Sequence, residues 1–129
     1  MRPRHYLFIL FFALSLVAAC SSITAKSSAH LVGYSEQGKA SFYAAKYQFR
    51  KTASGERFNQ LLNTAAHRTL PFGTKVRVTN NITGDAVTVK INDRGPFIDG
   101  RVIDLSRSAF AAIADTDLGL ADVTLEVVR

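Results

Sequence analysis

Apolar and polar residues alternate with a period of two in three segments of the chain. The first two segments are residues 75–80 and 86–92, and the turn residues 81–85 (NITGD) separate them. Such alternation is typical of a strand with one buried and one solvated face, so the two segments are predicted to pair as a hairpin. The third segment, residues 123–128, is predicted to form the last strand.

Shorter patterns predict the elements between these strands. Residues 39–44 (KASFYA) are aromatic and indicate a first strand, and the apolar residues 102–103 indicate another. Ser106 is a favourable N-cap for an alanine-rich helix over residues 107–114. The polar segment 45–63 is predicted to be a loop. Several short strands with one small helix indicate a compact, mainly β barrel.

The N-terminal segment, residues 1–19, has the composition of an export signal. Arg2 and Arg4 form a basic start, and the apolar run at 6–17 is too short for a comfortable membrane span. A transmembrane anchor is the alternative interpretation of this run. Small residues and then Cys20 follow it, and a lone cysteine cannot form an internal disulfide.

The segment that follows the cysteine is predicted to be a flexible tether. It is rich in serine and alanine and shows no apolar period up to residue 37. We therefore predict three parts: a signal peptide at 1–19, a tether with the cysteine at 20–37, and one folded domain at 38–129. The last part is large enough for a single hydrophobic core.

The charge of the chain bears on its partners. The net charge is +6, and removal of Arg2 and Arg4 with the signal leaves 14 basic and 10 acidic residues, or +4. A positive charge suits an anionic partner, although solubility alone would also explain it. The chain has no aromatic stacking motif with basic flanks, and export also argues against a nucleic acid partner. Cell-wall polymer or anionic lipid headgroups fit an exported protein better.

Three polar clusters, each beside a predicted turn, contain the candidate catalytic residues Glu56, His67 and Asp93. Asp104 is a fourth, weaker candidate. Each residue alone also fits a structural role, such as a solvated charge, an Asx turn at Asp93 or a helix-end charge at Asp104. Together, on converging loops, the three would place two carboxylates and an imidazole in one cleft. Crowding of carboxylic acids raises a pKa, and glycosidic cleavage requires an acid that keeps its proton near neutral pH.

Four ordered motifs closely resemble the rare lipoprotein A family over about residues 38–128. They read GKASFYA, TASGERFN, TAAHRTLPFGTKVRVTN and VKINDRGPFIDGRVIDLS. The resemblance implies a six-stranded double-psi β-barrel with one or two short helices, related to the expansin and barwin barrels. It also implies a lytic transglycosylase that cleaves the MurNAc–GlcNAc bonds of peptidoglycan strands, with a preference for strands free of stem peptides, and leaves 1,6-anhydro-MurNAc ends. It implies no metal and no cofactor.

The family motifs assign catalytic roles to Asp93, Glu56 and His67. We expect Asp93 to act as general acid and base, Glu56 to tune it or to stabilise developing positive charge, and His67 to orient substrate or a carboxylate. An exchange of roles between Asp93 and Glu56 remains open. The expected substrate-binding residues are Asp104, Arg94, Arg101, Tyr43 and Phe42.

The residues before the cysteine, Val17-Ala18-Ala19, resemble the bacterial lipobox, in which the signal is cut before a cysteine whose thiol is lipidated. Serine rather than aspartate follows Cys20, which in such lipoproteins permits sorting to the outer membrane. We therefore expect a monomeric lipoprotein, anchored through Cys20 on the periplasmic side of the cell envelope. Ordinary cleavage beside an incidental cysteine is the alternative.

Two departures from the family pattern keep rival functions open. The family's Ser-Trp-Tyr is Ser41-Phe42-Tyr43 here, so Phe42 and Tyr43 are expected to take the place of the aromatic platform. Better-known members also continue into a peptidoglycan-binding SPOR domain, whereas this sequence stops at Arg129. The alternatives are a non-catalytic, expansin-like polysaccharide-binding or wall-loosening lipoprotein, and an interaction lipoprotein that uses the barrel as a scaffold.

Overall fold

The computed structural model describes residues 28–129, so the predicted signal peptide and Cys20 lie outside the described residues. Within that range six strands close into a barrel in the spatial order β1-β5-β2-β4-β3-β6. One α-helix, α1, follows β5, and two short 3-10 turns lie at Ala45–Tyr47 and Thr116–Leu118. The strands are β1 Ser35–Phe42, β2 Thr64–Ala66, β3 Lys75–Asn80, β4 Ala86–Asp93, β5 Arg101–Leu105 and β6 Ala121–Val128, and α1 is Arg107–Ile113. The predicted mainly β, six-stranded barrel is confirmed.

The barrel mixes parallel and antiparallel neighbours. The pairs β1/β5 and β2/β4 are parallel, whereas β2/β5, β3/β4, β3/β6 and β1/β6 are antiparallel. Parallel neighbours cannot be joined by a tight hairpin, so the chain crosses over between them. As a result the short strand β2 lies between β4 and β5, which come from later parts of the sequence.

The predicted hairpin is present as β3 and β4, paired antiparallel from Lys75 opposite Lys90 to Thr79 opposite Ala86. The first strand begins earlier than predicted because Ser35 and Glu36 already pair with β6. The last three residues assigned to the tether, 35–37, are therefore part of the barrel.

Strand β2 lies in a segment whose sequence gave no strand prediction. Its three residues, Thr64–Ala66, are all buried, so they show no alternation between a buried and a solvated face. Such a short central strand is defined by its two neighbours rather than by its own pattern.

Helix α1 covers one side of the core. Ser106 is its N-cap, as predicted, and the Ser106 hydroxyl accepts from the Ala109 amide at 3.3 Å. Phe110 is fully buried and its ring lies 4.8 Å from the ring of Phe42. The helix ends at Ile113, which is also buried against the inward side chains of the strands. Between residues 28 and 129, no helix has the length and apolarity needed to cross a membrane.

Candidate active site

Four residues lie in one row across four neighbouring strands, and we call them the acid row. Ala66 on β2 pairs with Asp93 on β4 and with Asp104 on β5, and Asp104 pairs with Ser41 on β1. Adjacent strands lie about 4.8 Å apart, so the Cα atoms of Asp93 and Asp104 are about 10 Å apart. Ala66, which is 1% exposed, contributes only a methyl group between them, so no bulky side chain separates the two carboxylates.

Asp93, at the end of β4, is held in one orientation by three donors. Its Oδ1 accepts from the backbone amides of Ala53 at 2.8 Å and Arg94 at 2.9 Å. Its Oδ2 accepts from the Tyr43 hydroxyl at 2.5 Å. Asp93 is half-buried, so part of the residue remains exposed to solvent.

Tyr43 lies directly after β1 and is positioned by other aromatic rings. Its ring centroid is 4.5 Å from that of Phe58 and 6.0 Å from that of Tyr47. Burial, followed by the hydrogen bond to Asp93, raises the pKa of Tyr43 well above its usual range. The phenol therefore keeps its proton at pH values where a free tyrosine begins to lose it, and it donates to Oδ2 of Asp93.

The raised pKa of Tyr43 predicts a stability loss at alkaline pH. The folded chain keeps the phenol proton above pH 10 while the unfolded chain releases it, so the free energy of unfolding falls as pH rises past about 10. We expect the wild type to lose about 1 kcal/mol more than Tyr43→Phe between pH 8 and pH 11. Urea unfolding of both proteins at the two pH values measures this difference, and parallel losses would contradict the prediction.

Glu56 is on a loop that docks beside Asp93, but its carboxylate points to a lysine. The amide of Ser54 in this loop donates to the Asn92 carbonyl at 3.1 Å. The Glu56 oxygens accept from Lys90 Nζ at 3.1 and 3.2 Å, and both side chains are about half exposed. The expected crowding of two carboxylic acids is thus replaced by an exposed ion pair. Such a pair is weak, so the Glu56 side chain is free to reorient toward a ligand.

His67 follows β2 directly and is almost fully buried, with 3% of its surface exposed. Its Nδ1 accepts from the amides of Thr69 and Leu70, both at 3.1 Å. The ring proton is therefore on Nε2, which donates to Glu36 Oε1 at 2.5 Å. Both ring nitrogens are occupied by protein groups, so the imidazole orients a carboxylate of β1 rather than Asp93 or Glu56.

Glu36 is a site residue that sequence reasoning missed. It lies in the polar stretch assigned to the tether, and neither a motif nor an apolar period points to it. Its second carboxylate oxygen accepts from the Tyr34 hydroxyl at 3.3 Å, and its charge raises the pKa of Tyr34. Only the pairing of β1 with the rest of the barrel brings Glu36 to His67.

Both side-chain hydrogen bonds that hold Asp104 reach the same carboxylate oxygen, Oδ1. Arg101 Nη2 donates to Asp104 Oδ1 at 2.7 Å, and the Ser41 hydroxyl donates to the same oxygen. Ser41 also accepts from Arg101. Arg101 is therefore a partner of Asp104, and Ser41 is a second residue that sequence reasoning missed.

Arg94 and Phe42 contact the protein rather than open space. Arg94 Nη1 donates to the carbonyls of Leu70 at 2.8 Å and His67 at 3.3 Å, so Arg94 braces the loop after β2. Phe42 packs on Phe110 in the core, on the side away from the contacts of its neighbour Tyr43. Phe42 and Tyr43, the two residues expected to replace the family's tryptophan, therefore do not form one common surface.

Among residues 28–129, no three His, Cys, Asp or Glu side chains converge closely enough to hold a metal ion. A cavity of about 470 Å³ next to Gly73, Lys75 and Arg129 has none of the acid-row residues in its lining. The candidate chemistry therefore centres on the acid row and not on this cavity.

Solved structures with the same fold place the barrel among double-psi barrels. The Streptomyces papain inhibitor superposes with a TM-score of 0.61 at 28% identity, covering 76% of this chain and 97% of that protein. An expansin of Clavibacter michiganensis superposes with a TM-score of 0.59 at 24% identity, covering 74% of this chain and 50% of the expansin. The expected relation to expansin barrels is thus confirmed at the level of the fold.

Sequence comparison identifies the family. Residues 35–125 match the family model described as "Lytic transglycolase". The chain is 56% identical over 92 residues to the probable endolytic peptidoglycan transglycosylase RlpA of Synechocystis sp.. This match covers 71% of the chain and 29% of the relative, so the chain spans under a third of that relative's length. The chain therefore belongs to the lytic transglycolase family and, within it, to the rare lipoprotein A proteins.

Proposed function

We propose that this protein is a peptidoglycan lytic transglycosylase that cleaves MurNAc–GlcNAc bonds of glycan strands and leaves 1,6-anhydro-MurNAc ends. The observation that carries the proposal is the carboxylate of Asp93, which three donors hold in one orientation on a half-buried residue. A fixed and accessible carboxylate is what general acid–base catalysis needs. The name of the Synechocystis relative supports the same reaction.

In the proposed reaction Asp93 acts twice. The protonated carboxyl group first donates its proton to the glycosidic oxygen, and the bond from that oxygen to the anomeric carbon of MurNAc breaks. The resulting carboxylate then accepts the proton of the MurNAc 6-hydroxyl as that oxygen bonds to the same carbon. The proton lost in the first step is thus recovered in the second, and water is not consumed.

Two neighbouring residues support Asp93 in this scheme. Tyr43 keeps the carboxyl group in one orientation, because its hydroxyl donates to Oδ2 and its ring is fixed against Phe58. Glu56, held only by the exposed Lys90, supplies a second negative charge that stabilises the oxocarbenium-like transition state. The rates of the variants Asp93→Asn and Glu56→Gln distinguish the role of Asp93 from that of Glu56.

We also propose where the protein acts. Lipidation of Cys20 would anchor a monomeric barrel at the periplasmic side of the outer membrane, next to peptidoglycan. The resemblance of Val17-Ala18-Ala19-Cys20 to a lipobox supports this proposal, and the residue lies outside the described range.

The proposed activity is tested by incubating the full-length chain in detergent with purified sacculi and with amidase-treated glycan strands. Mass spectrometry of the soluble products is expected to show glycan fragments with 1,6-anhydro-MurNAc ends. Their release from either substrate supports the proposal. Binding to both substrates without any anhydro ends would overturn it in favour of a non-catalytic, expansin-like function.

A further inference from the structure

We propose that Phe97 is the residue on which a sugar ring of the glycan stacks, an inference that rests on the glycan substrate proposed above. Phe97 is 80% exposed, although it lies only four residues after Asp93 in the sequence. Phe97 and its neighbour Ile98, which is 56% exposed, leave adjacent apolar side chains in water beside polar residues, and apolar surface rimmed by polar groups is a feature of ligand-binding sites. The ligand chemistry that fits is a pyranose, which has an apolar C–H face and polar edges.

The position of Phe97 relative to the acid row supports this assignment. A β-carbon placed on Gly95 would lie 3.8 Å from the ring of Phe97 and 3.9 Å from Oδ2 of Asp104. The ring edge and the carboxylate therefore flank the same point above the backbone. Gly95 has φ +126°, a conformation that favours glycine, and its missing side chain lets the ring and the carboxylate lie this close to the backbone.

Asp104 presents a free oxygen toward that point. Both of its donors, Arg101 and Ser41, reach Oδ1, whereas Oδ2 is the oxygen that faces Gly95. A sugar whose C–H face covers the Phe97 ring would place a hydroxyl group within reach of Oδ2. An apolar surface with one oriented hydrogen-bond acceptor is the usual composition of a small-molecule site.

The two aromatic residues that the sequence predicts to bind sugar are each partly covered by protein. Phe42 packs on Phe110, and the ring of Tyr43 lies against Phe58 while its hydroxyl donates to Asp93. Phe97 therefore provides the aromatic surface that the Ser-Phe-Tyr sequence does not. Ile98, 56% exposed, extends the same apolar surface by one residue.

The test compares Phe97→Ala and Phe97→Trp with a control, Ile82→Ala, all as full-length chains in detergent. Ile82 is matched in exposure, at 81%, and lies in the turn at the far end of β4 from Asp93. We expect Phe97→Ala to raise KM for amidase-treated glycan about tenfold and to change kcat less than about twofold, since the ring contacts substrate equally before and in the transition state. Phe97→Trp is expected to restore KM, and Ile82→Ala to leave it unchanged.

Binding is measured separately by co-sedimentation of each protein with sacculi, so that stacking is tested even where cleavage is absent. A wild type that cleaves or binds glycan, with a Phe97→Ala variant that does so equally well, overturns the stacking role and leaves the proposed function standing. A wild type that binds without cleavage, and loses binding in Phe97→Ala, supports stacking while the proposed reaction fails. A wild type that neither binds nor cleaves overturns both. Equal unfolding midpoints for all four proteins show that the comparison is between folded chains.

Discussion

Replacement of Asp93 by asparagine is expected to lower the release of 1,6-anhydro ends by about 10²–10⁴-fold, the usual cost of losing a general acid and base. The asparagine carbonyl can still accept from the amides of Ala53 and Arg94, and the Tyr43 hydroxyl can accept from the new amide group. The variant should therefore fold like the wild type. Rates are measured by quantifying anhydro ends from amidase-treated glycan by mass spectrometry.

Two further variants test whether Asp93 or Glu56 acts as the general acid and base. Asp99→Asn is the matched control, because Asp99 is an exposed carboxylate in the turn before β5, close in sequence to Asp93. It should keep the wild-type rate. Glu56→Gln is expected to lower the release of 1,6-anhydro ends by a smaller factor than Asp93→Asn does. Wild-type release by Asp93→Asn together with loss in Glu56→Gln would transfer the acid and base role to Glu56.

Replacement of His67 by alanine is expected to lower the free energy of unfolding by about 3 kcal/mol. The change leaves the Glu36 carboxylate without its main donor and removes the acceptor for the amides of Thr69 and Leu70. Leu70 is 5% exposed, so its amide cannot easily be compensated by water. Urea unfolding followed by circular dichroism measures the difference from wild type.

Glu36→Gln is the companion variant, because glutamine still offers an oxygen to His67 Nε2 and should cost less stability than His67→Ala. Activity of His67→Ala is then measured well below its unfolding midpoint. A rate within about tenfold of wild type, with a large stability loss, agrees with a positioning role. An unchanged unfolding midpoint with a rate below about 1% of wild type would instead make His67 a catalytic residue in contact with substrate.

The sequence predicted the strands and the helix start whose signals lie within one short segment of the chain. The β3–β4 hairpin follows from alternation over six and seven residues, and the start of α1 follows from the hydroxyl of Ser106, three residues before the amide it accepts from. Asp93 and Glu56 follow from two separate motifs, each of which is a continuous segment of the chain. None of these predictions needed knowledge of which strands become neighbours.

The tertiary structure decided what the sequence could not. Strand β2 has no period of its own, because all three of its residues are buried between β4 and β5. Glu36 reaches His67 across 31 positions of sequence, and Ser41 reaches Asp104 across 63. Such contacts depend on strand register, which is set by closure of the whole barrel.

The aromatic residues show the same difference between what the sequence determines and what the tertiary structure decides. By sequence, Phe42, Tyr43 and Phe97 are each an aromatic residue inside a family motif, and the first two were expected to bind sugar. In the barrel, α1 covers Phe42, Asp93 and Phe58 engage Tyr43, and Phe97 alone of the three is left mostly exposed. The residue types and the motifs were determined by the sequence. Which ring is available to a ligand was decided by packing, because burial depends on neighbours that are distant along the chain.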